Sequence, residues 1–158
     1  MYKRVLVPLD GSTVAEAIIP FFLEIAGPLD MEVVLLRVVE PIPPMALEAS
    51  QHVVVEDPEE RRAEALAYLA PIADNLRARG VRVETEARRG EPAREILAGA
   101  RAVGADLIAM TTHGRTGFGR VLFGSIAEAV LRHADVPVFL MRQTERQVAE
   151  RKVWEAVR

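Results

Sequence analysis

Apolar positions along the chain fall into short strand-like runs separated by longer stretches of helical period. Val5-Leu-Val-Pro-Leu9 and the run E-V-V-L-L-R-V-V over 32–39 are almost continuously apolar, the pattern of strands covered on both faces. Residues 106–112 and 136–141 read the same way, with Pro137 tolerable in the last only at a sheet edge. Residues 81–88 alternate instead (V-R-V-E-T-E-A-R), which predicts a half-exposed edge strand.

Between these runs the period changes to that of a helix. Ala15, Ile18, Ile19, Phe22 and Ala26 repeat at helical spacing behind a Thr13-x-x-Glu16 capping box, up to Gly27 as a C-cap. Pro20 lies inside this pattern and should kink or locally break it. A longer helix is predicted from Pro58 to Gly80, with Ala63, Leu66, Leu69, Ile72, Ala73 and Leu76 as its apolar stripe and Pro71 as a second kink point. Gly90-Glu-Pro92 opens a third, buried along Ile96, Leu97, Ala100 and Val103 and stopped by Gly104. A fourth runs from Ser125 to about Ala134.

The order is therefore β-α-β-α-β-α-β-α-β. Strict alternation with apolar strands implies a single doubly wound α/β domain, a parallel sheet with helices on both faces and right-handed crossovers. Ligands in such sheets bind beyond the carboxyl ends of the strands, where the strand order reverses. Strand 1 ends at Asp10 and strand 4 at Thr112; if these strands are neighbours, Asp10 and the loop after Thr112 line one crevice.

Two segments stand outside the alternation. Residues 40–57 carry Pro41, Pro43 and Pro44 and are long for a connector in a small domain, which suits a lid or insertion. Residues 143–158 form a charged tail with Arg146–Glu150 and Arg151–Glu155 pairs at helical spacing and with Trp154, a short helix either solvated or docked. Composition then narrows the class. The 158 residues suit one domain, with an aliphatic core since aromatics are only 5%. No apolar run approaches the ~20 residues of a membrane span and no signal peptide is recognisable, so a cytoplasmic protein without a membrane partner is expected. A net charge of −3 without a basic block argues against nucleic acid as a partner, and the absence of cysteine removes thiolate chemistry.

The chemistry concentrates between Met110 and Glu128. An apolar strand ends in Thr111-Thr-His-Gly114, a glycine-studded loop follows, and Gly124-Ser125 opens a helix. Ser125-x-x-Glu128 has capping-box spacing, which places Ser125 at the N-cap. Such a strand, glycine loop and helix start make a phosphate site, because backbone N–H groups converge and the helix dipole favours an anion. Familiar versions fail: Gly119-x4-Gly124 is followed by Ser125 where a Walker loop needs lysine, and Leu122 stands at the third glycine of a dinucleotide fingerprint. Ser125 has no nucleophile-elbow glycines, and His52, His113 and His133 show no metal-ligand spacing. His133 suits a helix C-terminus, and Arg115 or Arg120 could screen phosphate charge.

One pattern fits. Thr112-His-Gly-Arg-Thr-Gly117, nine residues between Gly114 and Gly124, and Gly124-Ser125 resemble the signature of the universal stress protein family. The resemblance extends over 1–142, through Val5-Leu-Val-Pro-Leu-Asp-Gly-Ser12, Leu35-Leu-Arg-Val-Val39, Ala105-Asp-Leu-Ile-Ala-Met110 and Val136-Pro-Val-Phe-Leu-Met141. It implies a five-stranded parallel sheet of order 3-2-1-4-5, a homodimer through the last strand, and binding of ATP with Mg2+. By position, it places Pro8, Leu9 and Asp10 at the ribose and adenine side, with Asp10 also toward magnesium, and Val38 in the adenine slot. Met110, Thr111, Thr112, His113, Gly114, Arg115 and Thr116 would form the ribose and phosphate wall, and Gly124, Ser125 and Ile126 would receive phosphates. Thr111 stands where the family has the first glycine of Gly-x-x-Gly, which matters if that glycine adopts positive φ. Asp10 is weighed against a turn-forming role, His113 against a loop-ordering one, and Arg37 reads as a solvated or dimer-facing residue. The implied function is a nucleotide-responsive stress module with an unidentified protein partner. The alternatives are a slow ATP hydrolase or phosphotransferase, with Asp10 on a metal and His113 aiding water, and a nucleotide-free interaction protein.

Overall fold

The structure is a computed structural model and describes residues 2–26, 28–41, 57–113 and 124–143; the side chains of 113 and 143 fall outside it. Five strands, β1 (Arg4–Pro8), β2 (Glu32–Val39), β3 (Arg82–Arg89), β4 (Leu107–His113) and β5 (Val138–Gln143), form one sheet in the order β3-β2-β1-β4-β5. Every pairing is parallel. The described helices are α1 (Thr13–Glu16), α2 (Ile18–Ala26), α3 (Pro58–Ala78), α4 (Pro92–Val103) and α5 (Ser125–His133). None is long and apolar enough to cross a membrane.

The period-2 side-chain alternation of each buried strand feeds two cores, one on each face of the sheet. Val5, Val7, Val33, Leu35 and Ala109 pack with Ile18 and Phe22 of α2 and Leu69, Ala73 and Leu76 of α3. Leu6, Val34, Leu36, Ile108 and Met110 pack with Ile96 and Ala100 of α4 and Ala127 and Val130 of α5. Strand 3 lies at the edge, as its alternation predicts, with Arg82 and Glu84 exposed while Val83 is buried.

Several helix details depart from the sequence expectation. The first helix divides into α1 and α2 at Ala17, three residues before Pro20. Proline lacks the N–H that would reach the carbonyl at i−4, here Glu16, and its ring crowds that carbonyl, so the break falls upstream of the proline. Ser12, not Thr13, caps α1: its hydroxyl accepts from the Ala15 N–H at 3.1 Å. By contrast α3 continues through Pro71. Both Pro71 and Ala67, whose carbonyl loses its partner, face solvent, where water can serve the unmatched oxygen. In that helix Ala63 is exposed, and Ala65 takes its place in the buried stripe. The last strand begins at Val138, two residues later than expected, since Pro137 has no N–H for the ladder; its carbonyl accepts from Ile108 N–H at 3.0 Å.

Candidate functional site

Strand order reverses at β1, which has β2 on one side and β4 on the other. The β1–β4 register pairs Val5 with Leu107 and Leu6 with Ile108, and stops short of Pro8. Beyond it, at the carboxyl ends of the strands, lies a cleft of ≈ 790 Å³. That volume falls within the range of small-molecule sites. Pro8, Leu9 and Asp10 line it from β1, Val38 from β2, Met110, Thr111 and Thr112 from β4, and Gly124, Ser125 and Ile126 from α5. Ten residues chosen from the sequence, spread over more than a hundred positions, thus meet in one place. His113 ends β4 opposite Gln143, and its side chain lies outside the described residues. Gly114, Arg115, Thr116 and Arg120 lie outside the described residues, as do residues 42–56 and 144–158 and the Gly27 cap.

Ser125 is not the N-cap. Gly124 holds that place, with φ −56° and ψ 153°, and its carbonyl accepts the first helical bond from Glu128 N–H at 2.9 Å. Ser125 is therefore the first helical residue, and the Glu128 carboxylate accepts from Arg132 at 2.7 Å instead of reaching back. The consequence is chemical. Ser12 on α1, Asp57 on α3 and Glu91 on α4 each accept from N–H groups of their own first turn. A glycine has no side chain to do so, and Gly124, Ser125 and Ile126 are all exposed toward the cleft. The first turn of α5 thus presents N–H groups, a hydroxyl and the positive end of a helix dipole to whatever enters. Backbone conformation does not demand glycine here: φ is ordinary, and an added Cβ would meet Thr112 Oγ1 at a comfortable 3.9 Å. The buried Thr112 holds this end of the helix to the sheet, its Oγ1 accepting from Gly124 N–H at 3.3 Å.

On the opposite side, Asp10 forms a turn: its Oδ1 accepts from Ser12 N–H at 2.8 Å. The turn role and the cleft position are both real, since a carboxylate keeps lone pairs beyond that one bond. Gly11 follows at φ 84°, a conformation that favours glycine. Arg37, expected to be solvated or dimer-facing, lines the cleft instead. Its odd position in β2, in step with Val33 and Leu35, turns it toward α3, where its guanidinium lies 5.7 Å from the Tyr68 ring centre. Burial pushes the Tyr68 phenol above its ordinary pKa, helped by the hydrogen bond it donates to Glu16 at 2.7 Å and the charge of that carboxylate; Arg37 opposes the shift.

Thr111 is an extended strand residue paired with Met141, and Asp30 is the only non-glycine residue with positive φ among those described. The backbone objection to threonine at this position therefore falls, and its hydroxyl donates to the Ala15 carbonyl at 3.4 Å. Local pattern could not reveal the remaining lining: Tyr68 of α3 and Pro92 and Ile96 of α4 read as ordinary helix positions, and only packing brings them to the cleft. Among the described residues no group of three or more His, Cys, Asp or Glu is placed to hold a metal ion.

The sequence over residues 1–142 matches the model of the universal stress protein family. A universal stress protein of Methanocaldococcus jannaschii is 36% identical over 149 residues, covering 93% of this chain and 86% of its own. The solved structure of hypothetical protein MJ0577 is 28% identical, covers 90% of this chain and 97% of its own, and superposes with a TM-score of 0.72. Two more distant structures share the fold with TM-scores of 0.64. One is a universal stress protein in complex with cAMP, 21% identical over 89% of this chain and 97% of its own. The other is an Arabidopsis thaliana family protein with AMP bound, 20% identical over 92% and 94%.

Proposed function

The chain belongs to the universal stress protein family, and from that premise we propose that its cleft binds an adenine nucleotide, ATP carried with Mg2+. The observation that carries this reading is the α5 N-terminus, capped by a glycine where the fold does not require one and exposed to a crevice at the topological switch point. Phosphates there would meet the N–H groups of Ser125 and Ile126 and the Ser125 hydroxyl, without a lysine. Val38, Ile96, Met110 and Ile126 supply an apolar wall for the base. Asp10, two residues past the end of β1, would meet the ribose. Bound cAMP and AMP in proteins of the same fold agree with the ligand class.

Magnesium suits the site as a companion of the nucleotide. Asp10, Glu40 and Glu64 are the carboxylates among the described cleft residues, and of these Asp10 follows β1, the strand beside β4 and so nearest the α5 start. Mg2+ is commonly held by one or two carboxylates together with substrate phosphates. When bound it would neutralise phosphate charge. Asp10 would orient it, and the helix start would fix the phosphate chain.

We read the protein as a cytoplasmic homodimer that responds to nucleotide and signals to a protein partner. The edge position of β5 supports the dimer, since Val138, Phe139, Leu140 and Met141 all remain partly exposed there. Calorimetric titration with ATP and Mg2+, alongside identification of any nucleotide retained through purification, tests the reading. Saturable binding is expected, weaker when EDTA replaces the metal; no binding at millimolar nucleotide refutes it. Phosphate release in the same samples separates a binding module from a slow hydrolase.

A further inference from the structure

Behind the Asp10 turn a chain of contacts links three elements, α1, α3 and β2, to the turn that follows β1. Glu16 of α1 accepts from the Tyr68 hydroxyl of α3 at 2.7 Å. The Tyr68 ring lies under the Arg37 guanidinium of β2 at 5.7 Å, and Arg37 Nη1 donates to the Leu9 carbonyl, just past β1, at 3.4 Å. The same guanidinium flanks Gly11, whose added Cβ would stand 3.8 Å from Nη2. Arg37 therefore bonds to the residue before Asp10 and lies beside the residue after it.

Its place in the sheet decides how it can act. The helix start without a side-chain cap belongs to α5, which follows β4, and Arg37 is on β2, on the other side of β1. Val38, the next residue, points to the opposite face and packs with the α4–α5 core. A ligand laid along Val38, Met110 and Ile126 with its anionic end on Ser125 has its phosphates at the end of the cleft away from Arg37. We infer that Arg37, braced by Tyr68 and Glu16, is a positioning residue of the nucleotide site: it fixes the Leu9–Gly11 turn and so the Asp10 carboxylate, and does not bind the phosphates.

The task needs an arginine. A planar fork can lie on a tyrosine ring while one arm reaches a carbonyl, and the guanidinium stays charged at any working pH; a lysine offers one point donor on a flexible stem. Asp10 already spends Oδ1 on Ser12 N–H, so the direction of the rest of the carboxylate depends on the turn that carries it.

This inference rests on the nucleotide reading, and the experiment keeps the two apart. Dissociation constants for ATP, ADP and AMP are measured by calorimetry in EDTA, where Asp10 acts on the ribose and not through Mg2+, on wild type, Arg37→Ala, Arg37→Lys, Tyr68→Phe, Asp10→Ala and the Arg37→Ala/Asp10→Ala double variant. Arg37→Ala is expected to weaken all three nucleotides by the same factor, about tenfold, the scale of one charge-assisted hydrogen bond. Arg37→Lys should recover only part of that, Tyr68→Phe should show a smaller uniform loss, and Arg37→Ala should add nothing once Asp10 is alanine. A loss that grows from AMP to ATP would overturn the inference in favour of direct phosphate contact. Losses that multiply in the double variant, or a wild-type constant in Arg37→Ala and Tyr68→Phe, overturn it equally. A wild type that binds none of the nucleotides overturns the underlying reading itself. Should Arg37→Ala fold poorly, Arg37→Lys and Tyr68→Phe carry the same comparison.

Discussion

Replacing Thr112 by valine tests the link between the sheet and the helix start. Valine keeps the shape of threonine in a site only 4% exposed and removes the oxygen that accepts from Gly124 N–H. At 3.3 Å this bond is longer than the usual 2.9–3.0 Å, and Gly124 is exposed enough for water to replace the lost acceptor. The cost should therefore sit near the middle of the range for one net hydrogen bond, about 1 kcal/mol, and well below that of a sealed, unmatched N–H. For a domain of this size that lowers Tm by about 2–4 °C. The effect on function is separate: without its tether the first turn of α5 no longer holds one position, and ATP affinity should fall about five- to tenfold. Thr112→Ser is the control. It keeps the hydroxyl and deletes a buried methyl, costing about 1 kcal/mol through packing while leaving affinity within about twofold. Urea unfolding and calorimetry on both variants read the two effects independently. If Thr112→Val binds ATP as wild type does, or Thr112→Ser loses as much affinity as Thr112→Val, the tether has no bearing on the site.

Three further outcomes follow from the packing and charge around it. Leu69→Ala empties a fully buried position between α3 and the sheet and should destabilise by about 2–5 kcal/mol in denaturant unfolding; a loss below about 1 kcal/mol would contradict the close packing of that face. Gly90→Ala should cost about 1–3 kcal/mol, because φ is 151° and the new Cβ would lie 2.8 Å from Glu95 Cγ, disturbing a carboxylate that accepts from Arg88; a neutral result would refute that geometry. The raised pKa of Tyr68 means the folded state holds its proton more tightly than the unfolded chain does. Its contribution to stability is then complete below the ordinary tyrosine value of 10.0 and is lost as pH rises through the higher folded value. Stability of wild type minus Tyr68→Phe should decline across that alkaline window, and parallel curves would exclude the shift.

The alternation of apolar runs and helical stretches, and the loop spacing that ends at Gly124-Ser125, carry most of this protein in the sequence itself. Strand burial follows from continuous runs such as Val5-Leu-Val, because a strand covered on both faces has no polar side to show. Helix stops at Gly104 and Arg79-Gly80 follow from local chemistry. Even the helix start that we propose as a lysine-free phosphate cradle is legible, since glycine, serine and a helix start lie consecutively. What the sequence leaves open are choices between neighbours a residue or two apart. Ser125 could cap or begin α5, and only the φ and ψ of Gly124 decide that it begins it. Thr111 could be strained or extended, and its pairing with Met141 makes it extended. Arg37 shows the limit most clearly. On a strand its surroundings depend on which helix covers that face, and α3, more than twenty residues away, reaches it only through the parallel crossover that packs Tyr68 beneath it. Periodicity gives the face of the sheet on which a side chain lies; the crossover decides what it meets there, because contacts across a parallel sheet are made between segments far apart in the chain.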